Sequence, residues 1–411
     1  MQVFSVLLRG AIALGFCALL AWADGARRAE LLPARARTEP LPAFAESKAQ
    51  TQTPSQQLST QGIGHWERIG QGRIPMPPGV LAAHASALVA LPVESQASMM
   101  AYWFAGDRES APNVQIAMST LDRASGVWSD AKLVVDRWDL AQQLGFGIRR
   151  LGNPVAWLDS QGQVHLYVVA TGLGGWAAGR ILHLRQRPAE AGQAIYFEPI
   201  DVLPLSWLWN ISYLVRTAPL ALTDGGAVLP AYFELVRKTS VAVRINGQGD
   251  FAGLNRILPN DQRNLQPALL ALDESNWWAL MRDAGPTGQI RMAKTQNGGR
   301  HWSDGGNLPL DNPNSSVATL SIGDQHLLVY NPLKAGRNVL DLAVSRDGQR
   351  WVTVANLARG SERREFSYPA IAMADGQLWV SYTEQREFIA WQRFAWVAGP
   401  PPAVAQSQGL P

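Results

Sequence analysis

Two turn motifs 50 residues apart constrain this chain more than any other feature. Thr295-Gln296-Asn297-Gly298-Gly299-Arg300-His301-Trp302 and Ser345-Arg346-Asp347-Gly348-Gln349-Arg350-Trp351 each follow a β-type run and place a hydroxyl residue, a turn amide or acid, a glycine and a tryptophan in the same order. In such a hairpin the Asn or Asp side chain caps its own turn backbone, the glycine accepts positive φ, and the tryptophan packs back on the sheet. Ser119, Asp122, Gly126 and Trp128 form a degenerate third copy. A period of this length marks a β-propeller with one four-stranded sheet per repeat. From His84 to Trp396 there are 313 residues, room for six such units.

The rest of the sequence agrees with a mostly β chain. Short runs such as Ser98–Phe104, Val164–Ala170, Ala227–Glu234, Trp277–Arg282 and Leu378–Thr383 alternate or are wholly apolar, with Gly, Asn, Asp and Pro between them. Long helical patterns are absent. At 411 residues, simple division by ordinary domain size gives two or three domains, but the repeat makes one unit of most of the length. A hydrophobic fraction of 47% supports a large core.

The N-terminus reads differently. Arg9 precedes the apolar run Gly10–Ala23, which closes on Ala21-Trp22-Ala23 before Asp24, the small-x-small pattern of a signal-peptidase site. Val3–Ala23 is also nearly long enough to span a bilayer as an uncleaved anchor, and Arg27, Arg28, Arg35 and Arg37 follow it, so both alternatives stay open. The expected organisation is an export signal or membrane anchor over 1–23, a disordered Pro/Ala/Gln/Ser/Thr linker over 24–65, the propeller over 66–396 and a disordered tail over 397–411. The body would be periplasmic or secreted, or held at the inner membrane. The single Cys17 falls in the leader and excludes an intrachain disulfide and any multi-cysteine metal site.

Charge excludes one class of partner. Lys and Arg total 36 against 33 Asp and Glu, and no basic stripe follows the N-terminal region, which is no nucleic-acid signature. Arginine nonetheless dominates the basic residues, and its planar fork suits carboxylates better than an ammonium does. The sequence contains no phosphate-binding Gly loop, His-Glu-x-x-His metal motif or Gly-x-Ser-x-Gly elbow, so no metal or cofactor is expected.

The turns, together with segments 331–351 and 367–394, resemble the Asp-box repeats of sialidases and sialidase-like glycoside hydrolases, close to a branch of predicted neuraminidases. The resemblance implies an all-β, six-bladed β-propeller whose Asp boxes stabilise blades and take no part in catalysis. Sialidases hold a sugar carboxylate with three arginines, attack with a tyrosine assisted by a glutamate, and use an acidic residue as acid/base. Carried over by position, Arg282 and Arg337 fall where the second and third arginines lie, and Tyr368 falls at the nucleophile. His84 occupies the place of the first arginine, unless Arg73 reaches in from an earlier turn. Gln266 sits where the assisting glutamate would be.

These departures bear on mechanism. A phenol has a pKa of about 10 and needs a neighbouring base, which Gln266 cannot be. Glu234 is a candidate substitute, and His84 could serve as a protonated contact or a neutral acid/base. Glu109 is preferred over Asp107 as acid/base on the loop 106–109, with Asp107 a substrate contact. Arg216, like Arg150, lies near a blade start and could line the funnel or form a structural ion pair. Trp302 and Trp351 belong to the boxes and read as core, whereas Trp103, Trp207 and Trp209 are candidates for a sugar platform. The resulting expectation is an exo-glycosidase for an acidic glycan terminus. The alternatives are a non-catalytic glycan-binding or assembly propeller, and a lyase on another acidic polysaccharide.

Overall fold

A computed structural model describes residues 34–42, 64–187 and 195–399, with isolated positions 11, 12, 15, 16 and 19. The expected leader over 1–23 lies almost wholly outside these residues, as does the tail beyond Gly399. No helix among the described residues is long and apolar enough to cross a membrane.

Strand β1 (Gly64–Arg73) precedes the first blade, made of β2 (Ala82–Ala90), β3 (Ala97–Gly106), β4 (Gln115–Asp122) and β5 (Lys132–Val135). Helix α1 (Arg137–Leu144), capped by Asp136 and ended by left-handed Gly145, leads into the second. That blade is β6 (Arg150–Leu158), β7 (Val164–Thr171), β8 (Gly179–Arg187) and β9 (Tyr196–Val202). In the third, β10 (Tyr213–Val215) and β11 (Leu220–Ala221) both pair with β12 (Ala227–Phe233), so its inner strand is broken; β13 (Thr239–Ile245) and β14 (Phe251–Ile257) complete it. The fourth is β15 (Asn264–Ala271), β16 (Trp277–Asp283), β17 (Gln289–Thr295) and β18 (Ser303–Asp311). The fifth is β19 (Ala318–Ile322), β20 (Gln325–Tyr330), β21 (Val339–Ser345) and β22 (Val352–Arg359). The sixth runs β23 (Phe366–Ala374), β24 (Gln377–Glu384), β25 (Phe388–Ala398), and then takes β1 as its outer strand, with Trp66 opposite Trp396.

The chain is therefore an all-β, six-bladed propeller. Strands such as β7 and β15 are buried along their whole length because blades cover both faces, which is why they read as continuous apolar runs. Where the inner strands converge on the axis, small side chains including Ser86, Ala87, Ala268, Ala318 and Ala370 leave a cavity of only about 20 Å³.

The Asp boxes form as expected. Asn297 Oδ1 accepts from His301 N at 2.9 Å, and Asp347 Oδ1 accepts from Gln349 N and Arg350 N, both at 2.8 Å. Those backbone donors hold the Asp347 carboxyl far below the usual carboxylate range. In the degenerate copy Asp122 caps Ser125, and Trp128 meets Trp379 edge-on at 6.1 Å. All three turns lie at the opposite end of the axis from Tyr368 and Gln266, since β15 and β23 run away from those residues towards the box end.

One expectation is corrected. Within the stretch read as a disordered linker, residues 34–42 lie across the box end of the propeller. Ala36 N donates to Glu274 O at 2.7 Å, Thr223 N to Arg35 O at 2.9 Å, and Gly323 N to Glu39 O at 2.6 Å, tying blades three, four and five together. Alternation of Ala34 and Ala36 with arginines buries the two methyls beside Trp277 and Leu222. The order comes from backbone hydrogen bonds and two small side chains, neither of which produces an apolar period.

Candidate functional site

The pocket begins with the backbone. Ala85, Asn153, Gln266 and Tyr368 all have left-handed φ, between 44° and 56°, and each sits in a β-bulge of its blade's inner strand. Bulges re-aim side chains and cluster near active sites, and non-Gly left-handed residues persist where the surroundings over-determine them. Three of the four, Asn153, Gln266 and Tyr368, line a pocket of about 200 Å³ at the end of the axis opposite the boxes. Glu109, Trp176, Tyr232, Glu234 and Arg282 complete most of its wall.

Two guanidinium groups and a histidine ring surround Tyr368. The guanidinium carbons of Arg216 and Arg337 stand 5.1 and 5.9 Å from its ring centroid, and His84 meets it edge-on at 4.3 Å. Arg282 donates through Nε to Asn314 Oδ1 and through Nη1 to Gln266 Oε1, both at 3.1 Å. Gln266 in turn donates to the Tyr232 hydroxyl at 3.2 Å. The amide thus orients Arg282 and Tyr232 and leaves Tyr368 without a base at this position. Glu234 lines the same pocket, and no ion pair ties it to Arg237 or Lys238 among the described residues.

Other expected residues stand elsewhere. His84 is buried and neither ring nitrogen has a hydrogen-bond partner; burial, then repulsion from Arg386, lowers its pKa to about 3. A neutral ring packed between Phe104 and Tyr368 supports Tyr368 from behind and is not a cationic contact. Arg216 is also buried, in the break of the third inner strand, and donates to Ser86 O at 3.3 Å and Pro369 O at 3.0 Å across the axis. Desolvation pulls its pKa down to about 10. It underlies the pocket and does not line it. Asp107 faces a neighbouring cleft, and Arg73 pairs with Glu384 at 2.8 Å on the outermost strand. Trp103 is a core residue, Trp207 and Trp209 are half-exposed, and Trp302 and Trp351 are only partly buried; the tryptophan at the pocket is Trp176.

Two residues escaped the sequence reading. Glu365 accepts from Arg337 Nη1 at 3.3 Å and from Arg386 Nε at 2.9 Å. Burial opposes its ionisation, but Arg386, Ser367 and Arg337 outweigh that and hold its carboxyl below the usual value. Arg386, which also pairs with Glu109, brings a further guanidinium beside the place where the first arginine was expected. It comes from the β24–β25 turn of the adjacent blade, which carries no box and no recognisable motif.

A family profile for the BNR repeat-like domain matches residues 97–380, well over half of the sequence. The chain belongs to the BNR repeat-like family. Sialidases share the fold of this BNR protein. A Hadza microbial sialidase, Hz136, superposes with a TM-score of 0.59 at 14% identity, covering 77% of this chain and 66% of that one. The Trypanosoma rangeli sialidase, in complex with the inhibitor DANA, gives 0.60 at 12% identity, covering 80% and 60%. A protein of unknown function from Dyadobacter fermentans gives 0.61 at 11% identity, covering 81% of this chain and all of that one. The BNR chain thus spans two thirds or less of these sialidases' length. No curated protein sequence matches it.

Proposed function

We propose that the axial pocket binds the acidic terminal sugar of a glycan and that the protein is a sialidase-like exo-glycosidase. The observation that carries this reading is the convergence of Tyr368, Arg282, Glu234 and Glu109 on one pocket, with Arg337 beside the Tyr368 ring. Arg282 and Arg337 take the sugar carboxylate. The Tyr368 oxygen attacks the anomeric carbon while its proton passes to Glu234, and Glu109 delivers a proton to the departing glycosidic oxygen on the other side. Water then releases the sugar from the tyrosine. Because Glu109 is paired with Arg386, that pair opens as substrate enters and the freed carboxylate takes up from solvent the proton that it delivers. The T. rangeli sialidase of the same fold has been seen with sialic acid and, with 2,3-difluorosialic acid, as a covalent intermediate.

Gln266 favours a second reading, glycan binding without turnover, because an amide takes no proton from Tyr368. Incubation of the purified body with sialosides and a panel of acidic glycans, following free sugar and unsaturated product, separates these. Release of sialic acid that falls at least a hundredfold in Tyr368→Phe supports hydrolysis. Binding with no product supports the second reading, and an unsaturated product makes the protein a lyase. The run Gly10–Ala23 supports export of this activity, by a cleaved signal or an uncleaved anchor, and N-terminal sequencing of the protein from the expressing cell reads whether Ala23 is the cleavage point.

A further inference from the structure

On the outer side of the propeller, a group of titratable side chains takes no part in the axial pocket. His165 on β7, His183 on β8 and Asp201 on β9 belong to blade two, and Asp250 belongs to the β13–β14 turn of blade three. None of them lines the pocket. We propose that His183, Asp201 and Asp250 bind a divalent transition-metal ion that joins blade two to blade three.

The hydrogen bonds fix which ring nitrogens carry hydrogen. His165 Nε2 faces Asp159 Oδ2 at 3.2 Å, and an ionised carboxylate only accepts, so Nε2 is the donor. His165 Nδ1 is then a bare lone pair, and His183 Nε2, 2.8 Å away, donates to it. In the neutral ring this leaves His183 Nδ1 as a lone pair as well. The His183 side chain is 1% exposed, and its Nδ1 has no hydrogen-bond partner; it stands 3.8 Å from Asp201 Oδ1 and 3.9 Å from Asp250 Oδ1. Asp201 Oδ1 is likewise buried without a partner. Three electron-pair donors thus converge from two blades. A proton on Nδ1 would not satisfy them, because both oxygens lie beyond hydrogen-bond reach. Metal–nitrogen and metal–oxygen distances of about 2.1 Å allow donors up to about 4.2 Å apart to share one ion.

The surroundings are those of a ligand histidine. A metal-bound imidazole passes its other N–H to a fixed acceptor that orients the ring, and His165, itself held by Asp159, is that acceptor. Tyr167 stacks on His183 at 5.1 Å and donates to Gly249 O at 2.7 Å, which ties the ring to the turn carrying Asp250. A Cβ at Gly249 would lie 2.6 Å from His165 Nδ1, so only glycine lets the turn approach this closely. Among the described residues neither carboxylate has an arginine or lysine partner, and Arg185 pairs with Glu198 at 3.2 Å instead. The Asp201 and Asp250 side chains are 43% and 53% exposed, which gives an ion a way in and leaves room for water in its shell. As they stand, the described side chains form no closed three-ligand cage, so binding turns these two carboxylates inward. The ligands come from three separate places in the chain, and no spacing motif marks them.

Zinc is the probe, because a site of one imidazole and two carboxylates holds it more tightly than manganese or ferrous iron. Untagged protein stripped with EDTA is titrated with zinc chloride in a calorimeter, and thermal melting is followed alongside. The wild type is expected to take up one equivalent with a Kd below about 10 μM, and to melt at a temperature that rises with zinc concentration. Asp201→Asn and Asp250→Asn keep the shape of the site and are each expected to weaken zinc at least tenfold. Without metal both should melt no lower than the wild type, since each removes one of two carboxylates facing the same lone pair. Weaker or absent uptake by the wild type, or a loss of less than tenfold in either variant, overturns the site. A metal-free variant that melts well below the wild type overturns it too, because the carboxylate would then hold the turn without an ion.

Discussion

His84 shows how much a single residue's meaning depends on what covers it. Its sequence position matches a carboxylate-binding arginine, yet its ring is enclosed by Phe104 and Tyr368 and stays neutral down to a pH of about 3. The unfolded chain takes up that proton near the ordinary value of 6.5, so the contribution to stability is complete above 6.5 and is lost as pH falls towards 3. In His84→Phe, urea unfolding between those limits should show a pH slope shallower by about 1.4 kcal/mol per unit, the value of one proton. An unchanged slope would mean the imidazole is charged when folded. Tyr368, Arg282, Glu109 and Gln266 came from the positions that the sialidase resemblance implies, and Glu234 from its place at the end of an apolar strand; all five line one pocket. Arg386 and Glu365 were not legible, because their roles come from an ionic chain between blades that no local pattern encodes. The left-handed positions had a faint signal: Asn153, Gln266 and Tyr368 are each followed by proline.

Among the elements, the segment 34–42 and the box hairpin of blade four are made for one another. A Cβ at Gly298 would lie 1.9 Å from the Ala34 carbonyl oxygen, and the residue's φ is +62°. Gly298→Ala should therefore displace the segment as well as strain the turn. Gly306→Ala is the control, since Gly306 has a comparable φ of +77° with open space where the methyl would go. Each should cost roughly 1 kcal/mol in backbone strain, but only Gly298→Ala should make Arg35 and Arg37 readily cut by trypsin. Equal cleavage in both variants would show that the segment does not depend on this contact. The box itself was readable because its hydrogen bonds run within a few residues. The segment that covers it was not, because its order depends on carbonyls and amides contributed by turns around residues 223, 274 and 323.

For the whole molecule, the repeat length was enough to give the blade count, but nothing in the period shows how the ring is shut. The closure is β1 against β25, with Trp66 tilted on Trp396 at 5.2 Å and donating from Nε1 to Gln325 Oε1 at 3.0 Å in the fifth blade. Trp66→Ala removes packing in two blades at once and should lower stability by about 3–5 kcal/mol in urea titration. A loss below about 1 kcal/mol would mean that the outer strand contributes little to closure. The segment 34–42 has a consequence for handling and display. It binds across the end of the axis away from Tyr368, so Ala34 stands behind the pocket. A tether attached at Ala34 itself would leave the axial pocket on the face turned away from its support.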